Sequence, residues 1–486
     1  MNRVTDVSAL KEQYDLVVVG AGPAGLSAAA TAAELGLSVL LADENPAPGG
    51  QIYRAVTTTP VQRREVLGED YWRGQPIVQR FERSAADYAA RTTVWTVGRT
   101  ELMSGGEGFE VGVSADGQAR LIDARHVILA TGALERPMPI PGWTLPGVMT
   151  AGAAQIALKS AGIVPDGRVV LAGCGPLLYL LASQLQSAGA NIVAVLDTTE
   201  RGNALAAAGA LPDFLLSPYL AKGLKLMLAA RRKLRFVGGV TGLRAEGEGR
   251  VKQVVVERGS ARETIACDML LLHQGVIPNV NMTSAVGCEQ VWDEQGHCWA
   301  PKLDAWFGAS VPGISIAGDG AGIGGAESAA LRGEVAALEA ARRVGRIDEA
   351  DRDRRAASVR ATLARAMRGR RFLDVLYRPA KAFLAPKDAA TVVCRCEEVT
   401  AGQLRETTRK LGVQGPNQMK TFLRCGMGPC QGRLCGPTVT EIIAEERGVA
   451  PAEVGYYRLR PPVKPVTLGE LANLPKTEAA VKAVCR

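Results

Sequence analysis

Histidine is scarce: His126, His273 and His297 are the only three in 486 residues. None stands in a triad pattern with a nucleophile, and an isolated histidine is most often a satisfied polar residue, so no acid/base pair for substrate chemistry is legible. Aromatics are also few, at 5% beside 55 glycines, which disfavours an aromatic-rich sandwich and favours Gly-turned α/β units. No long apolar run is free of interruption. The best candidate, "LVVVGAGPAGLSAAATAA" at 16–33, carries three glycines and a proline at fixed offsets, which argues against a membrane span. The segment before it holds Asp6, Glu12 and Asp15 with only Arg3 and Lys11, and no A-x-A site follows, so it lacks the marks of a signal peptide. A cytoplasmic protein is expected, with peripheral membrane association left open, and there clustered cysteines more often hold metal than form disulfides. The formal charge of +8 comes with no helix-turn-helix or zinc-finger pattern and lies largely in residues 342–371, eleven arginines with four acids. A solvated helix or an acidic partner surface explains that run without nucleic acid.

A chain of this length predicts two or three domains of soluble α/β class. Tyr14 to Val19 is an apolar run suited to a buried parallel strand, and Gly20, Gly22 and Gly25 follow it as G-x-G-x-x-G. The first glycine permits the turn, the second lets the backbone approach a pyrophosphate, and the third lets helix pack on strand, so the helix N-terminus faces phosphate. A helix over 23–36, a strand over 37–42 and Asp43 at its end complete an adenine-dinucleotide unit. Two distant segments have the same strand-into-glycine form: "HVILATGALERP" reaches Thr131-Gly132, and "GISIAGDGAG" reaches Gly318-Asp319 before a small-residue helix. Together these resemble the signatures of the two-dinucleotide-binding-domain flavoproteins, the glutathione-reductase-like group. The resemblance implies FAD, with Gly50 and Gln51 of "GGQIYR" on its flavin side, Asp319 bonded to the ribityl chain, and the positive end of the following helix at the flavin pyrimidine.

A second unit, "GRVVLAGCGPLLYLLASQLQSAGANIVAVLD" at 167–197, repeats strand, Gly173-x-Gly175, helix, strand and Asp197, where this architecture inserts its nicotinamide domain. Leu178 replaces the third glycine. NAD(P)H, another adenine nucleotide such as ADP or ATP, and a vestigial site all remain open. The cysteine pair that a disulfide reductase keeps beside its flavin is absent, since Cys174, Cys267, Cys288 and Cys298 are isolated in sequence.

Five of the ten cysteines fall between Cys394 and Cys435. Cys394-x-Cys396 and Cys430-x4-Cys435 are 33 residues apart, and Cys425 lies five before Cys430. Two close thiolate pairs suit a [2Fe-2S] cluster or tetrahedral zinc, but C-x-C is unlike the usual zinc knuckle. The spacing resembles the bacterioferritin-associated-ferredoxin type of [2Fe-2S] domain. That resemblance takes Cys394, Cys396, Cys430 and Cys435 as ligands and leaves Cys425 spare, with helices after Thr400, over "NQMKTFLR" and over "PTVTEIIAEERG".

With "TGALERPMPIPGWTLPGVMTAGAAQ", "RCGMGPCQGRLCG" and the tail "YYRLRPPVKPVTLGELANLP", the chain resembles the α (or A, B) subunits of heteromeric flavin-dependent amine dehydrogenases. These are opine oxidases, D-hydroxyproline dehydrogenase and hydrogen cyanide synthase, with sarcosine oxidase α more distant. The resemblance implies a flavoprotein β subunit that oxidises the C–N bond of an amino acid or opine such as D-hydroxyproline, octopine, nopaline or glycine. It also implies a small ferredoxin-like γ subunit in some members, a quinone or other acceptor, and in some an adenine nucleotide with FMN at the subunit boundary. The expected organisation is a flavin domain over 1–150 and 276–345, an inserted dinucleotide domain over 151–275, a basic linker over 346–390, the [2Fe-2S] domain over 391–450 and a Pro-rich tail over 451–486. The rival readings are a stand-alone NAD(P)H:acceptor oxidoreductase and a nucleotide-stabilised scaffold.

Overall fold

The computed structural model describes residues 1–474 except Met103. Strand β1 (Gln13–Val19) runs into helix α1 (Pro23–Glu34) and back into β2 (Val39–Asp43), and β3 (Asp87–Ala90) and β4 (Gln118–Leu129) extend the same sheet. The order β3-β2-β1-β4 is parallel, and two antiparallel strands, 93–101 and 107–115, continue it on the β4 side. Buried on both faces, β1 and β2 are nearly continuous apolar runs, as a covered parallel sheet requires.

The chain then leaves through a short two-stranded crossing, 133–135 with 276–278, which carries both connections between the domains. This crossing lies earlier than the boundary expected at residue 150, because residues 148–150 already pair with the second sheet. That domain holds α2 (Ala151–Ala161), β5 (Arg168–Cys174), α3 (Pro176–Ser187), β6 (Asn191–Asp197) and β7 (Met269–Gln274). Its parallel sheet is covered on one face by α3 and on the other by three antiparallel strands, 242–246, 253–258 and 261–266. Beyond the return crossing come α4 (Asn281–Val286), β8 (Ile314–Ile316), which pairs with β4, and α5 (Ala326–Arg343).

Helix α5 crosses α1 closely at Gly333, and α1 in turn packs on the end of β1 at Gly25. A Cβ on Gly333 of α5 would lie 2.1 Å from the Ala24 carbonyl oxygen, and one on Gly25 would lie 1.8 Å from the Gly20 oxygen.

The arginine-rich run forms α6 (Glu349–Ala366) and α7 (Arg370–Leu376), and it is held by carboxylates of this chain. Glu339 on α5 accepts from Arg342, Arg343 and Arg352, and although burial works against it, those hydrogen bonds hold its carboxyl down at about 2. Arg352 and Arg360 also stack on Trp306, 3.8 and 3.6 Å from the ring centre. The run is thus a strap on the flavin domain.

The C-terminal module contains α8 (Ala401–Leu411), α9 (Pro416–Leu423) and α10 (Gly436–Arg447). Thr400 begins α8 with a capping box closed by Gln403. The tail turns back over the flavin domain, where Val463 N–H donates to the Trp95 carbonyl and Lys464 pairs with Glu44 at 2.7 Å. The last part of the Pro-rich tail, 475–486, lies outside the described residues.

Candidate functional site

Four loops converge at the carboxyl ends of β1, β4 and β8. Gly20, at φ +104°, turns the chain into α1, and a Cβ there would sit 2.6 Å from the Ala130 carbonyl oxygen. Gly50 passes so close to Gly22 that a Cβ on it would be 2.7 Å from the Gly22 Cα. Gly132 and the turn at 318–320 also meet, with Gly132 accepting from the Asn279 N–H at 3.0 Å. Asp43 accepts from Ala21 N–H at 2.6 Å and from both Asn45 nitrogens at 2.7 Å, and burial raises its pKa. Asp319 Oδ1 accepts from the N–H groups of Gly324 and Gly325 at 2.9 and 3.1 Å, at the entrance to α5. Its Oδ2 has no hydrogen-bond donor among the described residues. The bare glycine backbone, the helix N-terminus and the half-engaged carboxylate fit a bound dinucleotide.

Sequence reasoning missed one member of this site, Lys159 of α2. It is fully buried, and its Nζ donates to the carbonyls of Gln51 (3.3 Å) and Ile52 (2.9 Å) and to Gln155 Oε1 (3.0 Å). Burial, with Arg54 nearby, lowers its pKa to about 7. Gln155 continues to Gln184, and Gln184 to the Leu67 carbonyl, so a buried polar chain ties the second domain to the flavin-side loop. The only signal in sequence was one lysine on the apolar helix "AGAAQIALKSAG".

The second dinucleotide loop is built similarly, with other segments of this chain lying against its edge. A Cβ on Gly173 would lie 1.6 Å from the His273 carbonyl oxygen, and Leu178, at the third position, is wholly buried. Asp197 is engaged by Tyr179 Oη and Thr199 N–H, both at 2.8 Å. Cys174, between Gly173 and Gly175, donates to Gln274 Oε1 at 3.2 Å and contacts the Tyr377 carbonyl at 3.6 Å. The segment after α7 continues across this edge, where Asn203 Nδ2 bonds the carbonyls of Leu376 and Arg378 and Lys381 N–H reaches Glu200.

All three histidines are internally committed. His126 meets Ser315 Oγ at 2.9 Å, and burial pushes its pKa down to about 3, so it is neutral. His273 Nδ1 lies 2.5 Å from Glu135 Oε1, and His297 Nε2 lies 2.6 Å from Glu441 Oε1.

The five clustered cysteines gather as a trio and a pair. The Sγ atoms of Cys394, Cys425 and Cys435 lie within 4.8 Å of one another, all buried. Cys396 is within hydrogen-bonding reach of Cys430, and these two lie nearer the surface. Hydrogen bonds from Cys425 and Cys435, and then from the N–H groups of Gly426 and Glu397, push the Cys394 thiol down to about 2, while the same contact with Cys394 raises Cys425 to about 12. The structure therefore places Cys425 inside the group, although spacing had set it aside. Glycines shape this loop. A Cβ on Gly428 would lie 2.2 Å from Cys396 Cβ, and those on Gly426 and Gly432 would strike the Tyr457 ring at 2.5 and 2.6 Å. Soft thiols with inward N–H groups suit an iron–sulfur cluster.

The module is bonded directly to the flavin domains. Trp143 Nε1 donates to the Val392 carbonyl at 2.7 Å, Asn281 Nδ2 to the Gln431 carbonyl at 3.0 Å, and Ser284 Oγ to the Tyr457 carbonyl at 3.1 Å. Fold and thiol group together define an oxidoreductase that couples a two-dinucleotide-domain flavoprotein to an iron–sulfur-type module.

Comparison with known proteins agrees. Residues 14–345 match the pyridine nucleotide-disulphide oxidoreductase family, to which the chain belongs, and residues 392–445 match the BFD-like [2Fe-2S] binding domain. The chain is 50% identical, over all of its length and 96% of the relative's, to the A-type subunit of opine oxidase from Agrobacterium tumefaciens (strain Ach5). It is 32% identical, over 94% of its length and 98% of the relative's, to the HcnB subunit of hydrogen cyanide synthase from Pseudomonas aeruginosa. L-proline dehydrogenase from P. horikoshii has the same fold, at a TM-score of 0.70 and 20% identity over 97% of this chain and 80% of that one. Among the described residues no helix is long and apolar enough to cross a membrane.

Proposed function

We propose that this chain is the electron-transfer subunit of a heteromeric dehydrogenase whose flavoprotein β subunit oxidises the C–N bond of an amino acid or opine. One observation carries the reading. A thiol group suited to one-electron chemistry is bonded onto a flavin fold, while every histidine is sequestered in an internal hydrogen bond. FAD in the first dinucleotide site, cradled by Gly20, Gly22, Gly25, Gly50, Gly132 and Gly318 with Asp43 and Asp319, would supply two-electron chemistry. Cys394, Cys396, Cys430 and Cys435 would hold a [2Fe-2S] cluster, which exchanges single electrons. A second ligand set, with Cys425 in place of one of these four, is supported by the grouping of its sulfur with those of Cys394 and Cys435.

The Gly173 and Gly175 loop is read as closed to NAD(P)H. Tyr179 holds the ribose-side acid Asp197, and residues 376–381 lie across the edge of the sheet. This disfavours the stand-alone NAD(P)H reductase. The scaffold reading is disfavoured by the cysteine group, which a purely structural nucleotide protein does not need. An adenine nucleotide such as ADP or ATP in one of the dinucleotide sites, with FMN at the subunit boundary, would keep the same role. Electrons would leave to a quinone or another acceptor, and a ferredoxin-like γ subunit fits the same scheme. The opine oxidase relatives make an opine the first substrate to try.

The test is anaerobic absorbance. NADH added to the isolated holo-chain should leave the flavin band unbleached for minutes, and an opine should do so too. The opine added to the chain co-purified with its partner should bleach it within seconds. Rapid bleaching of the isolated chain by NADH would favour the reductase reading instead.

A further inference from the structure

The arginines of 342–371 are mostly matched inside the chain, on Glu339, Asp351, Asp213 and Asp374. A second basic group is not. Lys420 of α9 and Arg424, which caps its C-terminus, together with Arg458 and Arg460 of the tail, line an open cleft of about 890 Å³ whose far wall is the end of α4. Arg424 pairs with Glu397 at 3.2 Å, but among the described residues no carboxylate forms an ion pair with Lys420, Arg458 or Arg460. Among the described residues no acidic side chain lines the cleft. Among the described residues the Lys420 ammonium meets the Arg458 carbonyl at 3.2 Å and the face of Tyr457, and burial, then the like charge of Arg460, lower its pKa. Uncompensated like charge in a concave, partly apolar wall concentrates a field that an opposite surface relieves.

The cleft opens beside the thiol group. Met427, 50% exposed, stands on its rim, and the next residue, Gly428, packs on Cys396. Cys396 is the exposed member of the five cysteines, and Cys430 beside it is half-buried. Phe422 of α9, 45% exposed, is a further bare apolar side chain of the same helix outside the cleft lining. Arginine with exposed methionine and aromatic side chains is the composition of a protein interface.

We propose that this cleft and its rim are the docking surface for an acidic one-electron carrier protein, seated over the Cys396–Cys430 edge. The proposal rests on the electron-transfer reading above and adds where, and by what chemistry, a carrier is recognised. The cations are spread along an open wall that also bears apolar groups, which fits a protein face better than a small anion.

The test uses the holo-chain and oxidised flavodoxin, an acidic carrier, as probe in titration calorimetry. Binding should weaken as salt rises from about 20 to about 200 mM, as screening shortens the reach of charge. Arg458→Glu with Arg460→Glu should lower affinity at least ~10-fold, and the milder Arg458→Gln with Arg460→Gln should fall between. Arg250→Glu with Arg258→Glu, on the hairpin of the inserted domain, should bind like wild type. Unchanged binding in both cleft variants would overturn the proposal. So would stoichiometric binding of inorganic pyrophosphate that displaces flavodoxin, which would make the cleft a small-anion site. Loss of the co-purifying subunit from the charge-reversed chain with flavodoxin binding intact would assign the cleft to that subunit instead. A wild-type chain that lacked iron–sulfur absorbance but still bound flavodoxin would leave the docking result standing and remove the electron-transfer reading.

Discussion

Replacing Cys430 or Cys435 with serine is expected to strip the iron and acid-labile sulfide from the protein and to cut amine-dependent dye reduction by the complex on the order of 100-fold or more. Thiolate ligation supplies the binding free energy of such a site, and a hydroxyl is a much poorer soft ligand. Flavin content should stay at the wild-type value, because the thiol group lies in a separate hydrophobic cluster with its own helices. Cys425→Ser is the informative companion. With Cys394, Cys396, Cys430 and Cys435 as ligands it should keep the iron and change only the visible and EPR line shapes, since its sulfur lies 3.9 Å from that of Cys435. Iron analysis and low-temperature EPR of the three variants decide between the two ligand sets, and loss of iron from Cys425→Ser would move Cys425 into the site.

The second large effect concerns Gly25. Its missing side chain is what lets α1 approach β1, for a Cβ would stand 1.8 Å from the Gly20 carbonyl oxygen, which is backbone and cannot swing away. Gly25→Ala should therefore displace the N-terminus of α1 from the phosphate position, release flavin and adenine nucleotide on gel filtration, and destabilise the flavin domain by about 3 kcal/mol, as for overpacked cores. Gly202→Ala is the control, with no atom within 4 Å of the added carbon and a helical backbone. It should be neutral or slightly stabilising in thermal unfolding. Retention of flavin by Gly25→Ala would place the cofactor elsewhere.

Much of the first dinucleotide unit was legible because its signals are local. Strand periodicity, fixed glycine offsets and an acid at a set distance placed β1, α1, β2 and Asp43 within a residue or two of the structure. The Thr400 cap and the helices around the cysteines were legible for the same reason. Other features depend on contacts between distant segments. Gly333 is essential only because Ala24, some three hundred positions earlier, crosses it. Lys159 gains meaning only beside the carbonyls of Gln51 and Ile52. The spacing of Cys425 could not show that the turn at 424–428 folds its sulfur against Cys394. The basic run, read as a solvated helix or an acidic partner's surface, does form a largely exposed helix, but several of its arginines find Glu339, Asp351 and Trp306 within this chain. The second dinucleotide motif was legible as a strand-turn-helix, whereas the contacts that residues 376–378 make with Cys174 and Asn203 were not, because those residues lie about two hundred positions away.

In the proposed role, electrons taken from a substrate bound by the partner reach this chain's thiol module. Freeze-quench EPR of the anaerobic complex, mixed with an opine, tests it most directly. A reduced [2Fe-2S] signal should grow with substrate and be absent from the Cys435→Ser complex. A complex that turns over its substrate with a full complement of iron and no such signal at any time would contradict it.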